Sequence, residues 1–116
     1  AIQGITIRDD LFERYRSSED FIQKYIFPGG FLPSLGFMKS LIKKNNLNLL
    51  KVNSYPDDYA KTLATWRENF LKVWSNIAPL GFDETFKRMW EFYLSYCEAG
   101  FKSKNIDLIQ FSMSNK

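Results

Sequence analysis

The sequence contains no histidine in 116 residues. That removes the side chain best suited to general base work near neutral pH. It also removes Ser-His and Cys-His nucleophile pairs and the common zinc ligand sets. Any acid–base step must use a carboxylate, a tyrosine, a lysine or a bound ion. Cysteine is nearly absent: Cys97 stands alone. It excludes an internal disulfide and fits a reducing compartment such as the cytoplasm. No apolar run approaches the ~18 residues needed to cross a bilayer. The opening AIQGITIRDD lacks the basic region and long apolar core of a signal peptide. Net charge is only +3. The small basic clusters at Arg14/Arg16, Lys39/Lys43/Lys44 and Lys102/Lys104 are too thin for a nucleic-acid stripe. They read as a solvated face, or as help in resting on an anionic membrane surface, at roughly 1 kcal/mol per basic residue held close. No phosphate-cradling loop is present, because Gly29-Gly30 follows a helical pattern and a proline rather than a strand.

What the chain has in excess is aromatic residues, 17% of the total. Such residues fill cores and also line apolar pockets. The stretch YIFPGGFLPS, residues 25–34, puts large apolar side chains on both sides of a turn that would ordinarily face water. It reads either as a loop tucked under the core or as a wall beside an apolar ligand.

The pattern of elements is β, α, α, β, α, α, β. Ile2 to Ile7 reads as a strand closed by Arg8-Asp9-Asp10. It opens without a turn or cap and the chain does not begin with Met, which points to a segment whose first strand has neighbours outside it. Ser17 with Asp20 fits a capping box for a helix carrying Phe21, Ile22, Tyr25 and Ile26. Pro28-Gly29-Gly30 ends that helix. Ser34 caps a second helix with Leu35, Met38, Leu41 and Ile42 on one face, stopped at Asn45-Asn46. Leu47 to Ser54 alternates, with Leu50 and Val52 on one side and Lys51 and Asn53 on the other, as an edge strand does. After Pro56-Asp57-Asp58 a long helix carries the stripe Tyr59, Leu63, Trp66, Phe70, Val73, Trp74 and Ile77, opposite Lys61, Arg67, Glu68 and Lys72. Pro79 and Gly81 end it. Asp83 caps a further helix whose apolar side, broadened by Phe92 and Tyr96, predicts cover over most of its girth. Ile106 to Met113 reads as a central strand buried on both faces.

Acidic residues at helix starts (Asp20, Asp57, Asp58, Asp83, Glu84) are explained by the helix dipole. Cys97, within an apolar stripe, reads as an inert buried thiol. Tyr59 lies in the first turn of the long helix. There its hydroxyl either is a satisfied core group or holds a small oxyanion beside unpaired N–H groups.

The motifs YIFPGGFLPS, DDYAKTLATW, FKRMWEFYLSYCEAGF and DLIQFSMS are similar, in order and spacing, to the C-terminal part of the cyclopropane-fatty-acyl-phospholipid synthases and mycolic acid cyclopropane synthases. The resemblance covers nearly the whole chain. It implies an α/β fold, the C-terminal portion of a Rossmann-like methyltransferase. It would have a three-stranded mixed sheet in the order 1-3-2, the last strand antiparallel, packed with about four helices, with residues 1–116 forming one partial domain. It implies transfer of a methyl group from S-adenosylmethionine, bound by residues upstream of this chain, to a cis double bond of a phospholipid acyl chain. Loss of a proton to a bound bicarbonate ion then closes the ring. By the same resemblance Tyr59, Gln3 and Ile5 form the bicarbonate environment. Gln3 stands where the family has a histidine ligand. Phe27, Tyr93 and Cys97 line the acyl-chain tunnel. The partners implied are phospholipid acyl chains and the inner surface of the membrane, touched peripherally from the cytoplasm, with no nucleic acid and no metal. An exposed first strand also predicts a homodimer through that edge, and the isolated chain is expected to be inactive. The alternative is a non-catalytic lipid-binding or membrane-docking module.

Overall fold

The computed structural model describes residues 1–116. Strand β1 (Ile2–Ile7) is followed by a 3-10 turn (Asp9–Leu11), a short helix α1 (Phe12–Arg16) and a π-type turn (Ile22–Ile26). Then come α2 (Leu35–Lys44), β2 (Leu47–Ser54) and α3 (Pro56–Lys72). The short α4 (Trp74–Ile77), a 3-10 turn (Ala78–Leu80), α5 (Glu84–Lys102) and β3 (Ile106–Asn115) complete the chain. The sheet order is β1-β3-β2. β3 runs antiparallel to both neighbours, so β1 and β2 point the same way and the last strand is the central, reversed one. No helix is long and apolar enough to cross a membrane.

β3 is central because both of its faces are apolar. Ile106 and Leu108 pack with Ile5 against the α3–α5 side, around Ala60, Leu63, Leu94, Cys97 and Phe101. Ile109 and Phe111 face the other way and pack with Ile42 of α2. The caps follow the sequence. Ser34 Oγ accepts from Phe37 N at 3.1 Å, and Asp83 Oδ1 accepts from Phe86 N at 2.8 Å. Asn46, at φ 55°, closes α2, and Pro56 starts α3, where its missing N–H costs nothing.

Five expectations change. Ser17 does not open a helix: its hydroxyl donates back to Glu13 O at the end of α1. The capping box sits three residues later, where Asp20 Oδ1 accepts from Gln23 N at 2.9 Å and Gln23 Oε1 accepts from Asp20 N at 3.0 Å. The turn that follows winds in π fashion, with Phe27 N donating to Ile22 O at 2.8 Å. In β2 a bulge lies between Leu49 and Lys51. The extra residue puts Leu49, not Leu50, on the face shared with Val52, and leaves Leu50 63% exposed.

The long stripe ending at Ile77 is broken at Val73, whose ψ of 10° ends α3. Arg67 is not solvated opposite the stripe. It crosses to α5, donating to Ser95 Oγ at 2.9 Å and to the buried Glu98 at 2.6 Å, where Lys102 also pairs at 2.8 Å. Those cations hold the Glu98 carboxyl below the usual carboxylate range. Finally, Phe92 and Tyr96 remain exposed, so α5 is not covered on most of its girth.

Candidate functional site

The turn that raised the question is a type II turn. Pro28 sits at its second position and Gly29, at φ +78°, at its third, and Gly30 N donates to Phe27 O at 2.8 Å. Proline fixes the first bend and glycine alone relaxes at that positive φ. A Cβ on Gly30 would stand 2.9 Å from Phe27 O, so the second glycine lets the chain double back closely. The returning strand of chain is pinned by Tyr15, whose hydroxyl accepts from Leu32 N at 2.9 Å. Phe31 then lies against Phe12 and Tyr15, with centroids 5.6 and 5.9 Å away.

Behind this turn is a cavity of about 230 Å³, lined by fifteen residues of which twelve are hydrophobic. Complete small-ligand sites run to roughly 300–1,000 Å³. Ile5, Phe27, Tyr59, Tyr93 and Cys97 all face it. Their sources are β1, the turn, α3 and α5, brought together because α5 packs along α3 and both lie on the Ile5/Leu108 face of the sheet. Tyr93 and Cys97 are one helical turn apart. The rings of Phe27 and Tyr93 meet edge to face, centroids 6.2 Å apart. Tyr59 stands edge-on to Phe101 at 4.8 Å.

Burial, with Cys97 nearby, raises the Tyr59 phenol above its ordinary range. Burial first, then Cys97 and Tyr59, push Tyr93 up to about 12. Burial, with Asp20 second, pushes Cys97 up to about 11. All three groups therefore keep their protons at neutral pH. The phenols are donors rather than bases, and Cys97 is a thiol rather than a nucleophilic thiolate. The Tyr59 hydroxyl makes no hydrogen bond within the chain.

Gln3 is the expected site residue that the cavity does not include. It is exposed, and its Oε1 accepts from Gln110 Nε2 at 2.8 Å across the β1–β3 pair. Its backbone is better placed. Arg8 N donates to Asn105 O across the ladder, whereas Ile7 N turns outward to Pro33 O, both at 2.9 Å. Alternation then directs the N–H and C=O groups of Ile5 and Gln3 outward along the open edge of β1.

Two small molecules are implied by the resemblance. For a small oxyanion the residues present fit: the free Tyr59 hydroxyl and the outward Ile5 N–H are donors. For S-adenosylmethionine they do not fit, because no strand in this chain leads into a glycine-rich turn. Sequence reasoning missed several lining residues. Asp20, Tyr15 and Gln23 are among them. Asp20 looked like a dipole-neutralising residue, and no local signal marks Tyr15.

The chain matches the family model described as mycolic acid cyclopropane synthetase over residues 1–111. It is 43% identical over 114 residues to tuberculostearic acid methyltransferase UfaA1 of Mycobacterium tuberculosis, covering 97% of this chain and 27% of that protein. It is 35% identical over 98 residues to cyclopropane-fatty-acyl-phospholipid synthase of Escherichia coli, covering 83% of this chain and 25% of that one. The chain thus spans about a quarter of these relatives. Among solved structures, the mycolic acid cyclopropane synthase CmaA1 complexed with SAH and CTAB superposes with a TM-score of 0.82 at 27% identity, covering 96% of this chain and 42% of that one.

Proposed function

The chain belongs to the mycolic acid cyclopropane synthetase family, and from that premise we propose that it is the C-terminal part of an S-adenosylmethionine-dependent lipid C-methyltransferase. Its substrate would be an unsaturated acyl chain of a phospholipid. The cofactor would be held by residues outside this chain. When bound, S-adenosylmethionine supplies the methyl group. The double bond's electron pair would displace that group from sulfur, leaving positive charge on the acyl chain, and loss of a proton from the added methyl would then close a cyclopropane ring.

The supporting observation is the convergence of Phe27, Tyr93, Cys97 and Tyr59 on one apolar cavity. Phe27 and Tyr93 wall the tail and exclude water, and their ring faces favour a developing cation. Cys97 fills space beside them. Tyr59 would donate its proton in a hydrogen bond to a bicarbonate ion, with the Ile5 N–H as a second donor. The ion would serve as the proton acceptor. Gln3 would stand beside the ion on the same open edge, as a donor at most. That edge is also where a further strand would pair, from the rest of the protein or from a second copy.

The test is methyl transfer by the intact protein from labelled S-adenosylmethionine to vesicles of monounsaturated phospholipid, read by mass spectrometry of the lipids. Added mass on the unsaturated acyl chain is the expected result. Binding of the vesicles without added mass would instead favour the non-catalytic lipid-binding module and overturn the methyltransferase.

A further inference from the structure

Beside the cavity, packing alone does not set the distance between α3 and α5. Five lining residues stand on these helices: Tyr59 and Leu63 on α3, and Tyr93, Cys97 and Phe101 on α5. A hollow of about 230 Å³ lies against them. Side chains that face a void have no atoms opposite to hold them back, and the structure around a gap relaxes inward as far as it can. One polar contact opposes that. Arg67 lies one helical turn after Leu63, and Glu98 directly follows Cys97. A single guanidinium nitrogen, Nη1, donates to Glu98 Oε2 at 2.6 Å and to Ser95 Oγ at 2.9 Å. Lys102 Nζ holds the other carboxylate oxygen, Oε1, at 2.8 Å, so Glu98 is tied on both sides. Of the ion pairs in the molecule, Arg67–Glu98 alone joins two helices. Stability does not account for it. Glu98 is buried, and an apolar pair of similar volume is commonly as stable as a buried ion pair or more so. What an apolar pair lacks is direction. Charge-assisted hydrogen bonds fix a distance and an angle, whereas methyl groups slide.

We infer that Arg67 and Glu98 are positioning residues, a strut between α3 and α5 that sets the width of the cavity. Neither lines the cavity; they act through Leu63 and Cys97, their neighbours on the two helices. The inference rests on the proposed function for what the cavity holds, an acyl chain whose fit the strut fixes.

The experiment is equilibrium binding of cis-parinaric acid, a fluorescent unsaturated fatty acid, to the intact protein, with urea unfolding measured alongside. Arg67→Met combined with Glu98→Leu removes the directed contact and keeps most of the volume. Its unfolding midpoint should stay or rise. Its dissociation constant should rise about tenfold, the lower end of what a misfit of one methylene costs an apolar pocket. Arg67→Lys, which keeps a cation and N–H donors at that point of α3, should recover most of the affinity. Lys72→Met, which breaks the exposed pair with Glu68 inside α3, should stay within about twofold of the wild type. Unchanged affinity in the double variant, weaker affinity only together with a lower midpoint, an equal loss in Lys72→Met, or no binding by the wild type would each overturn the inference. Methyl transfer is read separately. The expected loss of affinity in a protein that does not methylate would sink the proposed function and leave the strut standing. Active methylation with unchanged affinity in the double variant would do the reverse.

Discussion

Phe101→Ala is expected to lower the stability of the chain by about 3–5 kcal/mol, the range for deleting a large aromatic side chain from a packed interior. Phe101 is 1% exposed and sits with Ala60, Leu63, Leu94 and Cys97 in the cluster that joins α3 to α5. Its ring meets Tyr59 at 4.8 Å. The cavity beside it gives the surrounding side chains an existing void rather than material to collapse inward, so the loss should fall toward the upper end of the range. Against a typical total of about 5–15 kcal/mol, that is enough to leave a marginal fold. Urea unfolding followed by circular dichroism measures it. Phe101→Leu, which keeps most of the volume, should cost less than half as much. A shift below about 1 kcal/mol for the alanine variant would mean that this cluster does not hold the two helices together.

Tyr59→Phe should act in the opposite sense, sparing the fold and stopping the chemistry. The ring contacts with Phe101 and Trp66 survive in phenylalanine. The hydroxyl bonds nothing in the chain, so the unfolding midpoint should not move. In the intact protein, turnover should fall by about 100-fold, at the lower end of what a positioned proton-handling group contributes, with little change in KM. Burial raises the Tyr59 pKa. The wild-type hydroxyl thus stays protonated through its ordinary range, and any loss of rate from its titration should appear only above pH 10. Unchanged turnover in the variant would remove Tyr59 from the mechanism.

Much of the frame was legible because it is local. Ser34 and Asp83 announce helix starts, Asn45-Asn46 a stop, and the two apolar faces of β3 its central place. The Leu50 bulge was not legible. Alternation in β2 looks regular until β3 supplies the register that makes one residue surplus. The α1 helix was hidden because five residues cannot show a helical period. Arg67 looked like a surface charge, and only the approach of α5 gives it Glu98. At the site, the i, i+4 spacing of Tyr93 and Cys97 and the FPGG turn could be read from residues alone. Their convergence with Tyr59 came from resemblance. Asp20 and Tyr15 belong to the cavity through contacts across the chain, such as Tyr15 with Leu32, which no neighbouring residue signals.

The most direct measurement is photo-crosslinking of the intact protein with an unsaturated phospholipid bearing a diazirine at mid-chain, followed by peptide mapping. Label on the peptides holding Phe27, Tyr93 or Cys97, displaced by unmodified lipid, is the expected result. Displaceable label confined to peptides remote from the cavity, such as α2, would show that the tail goes elsewhere.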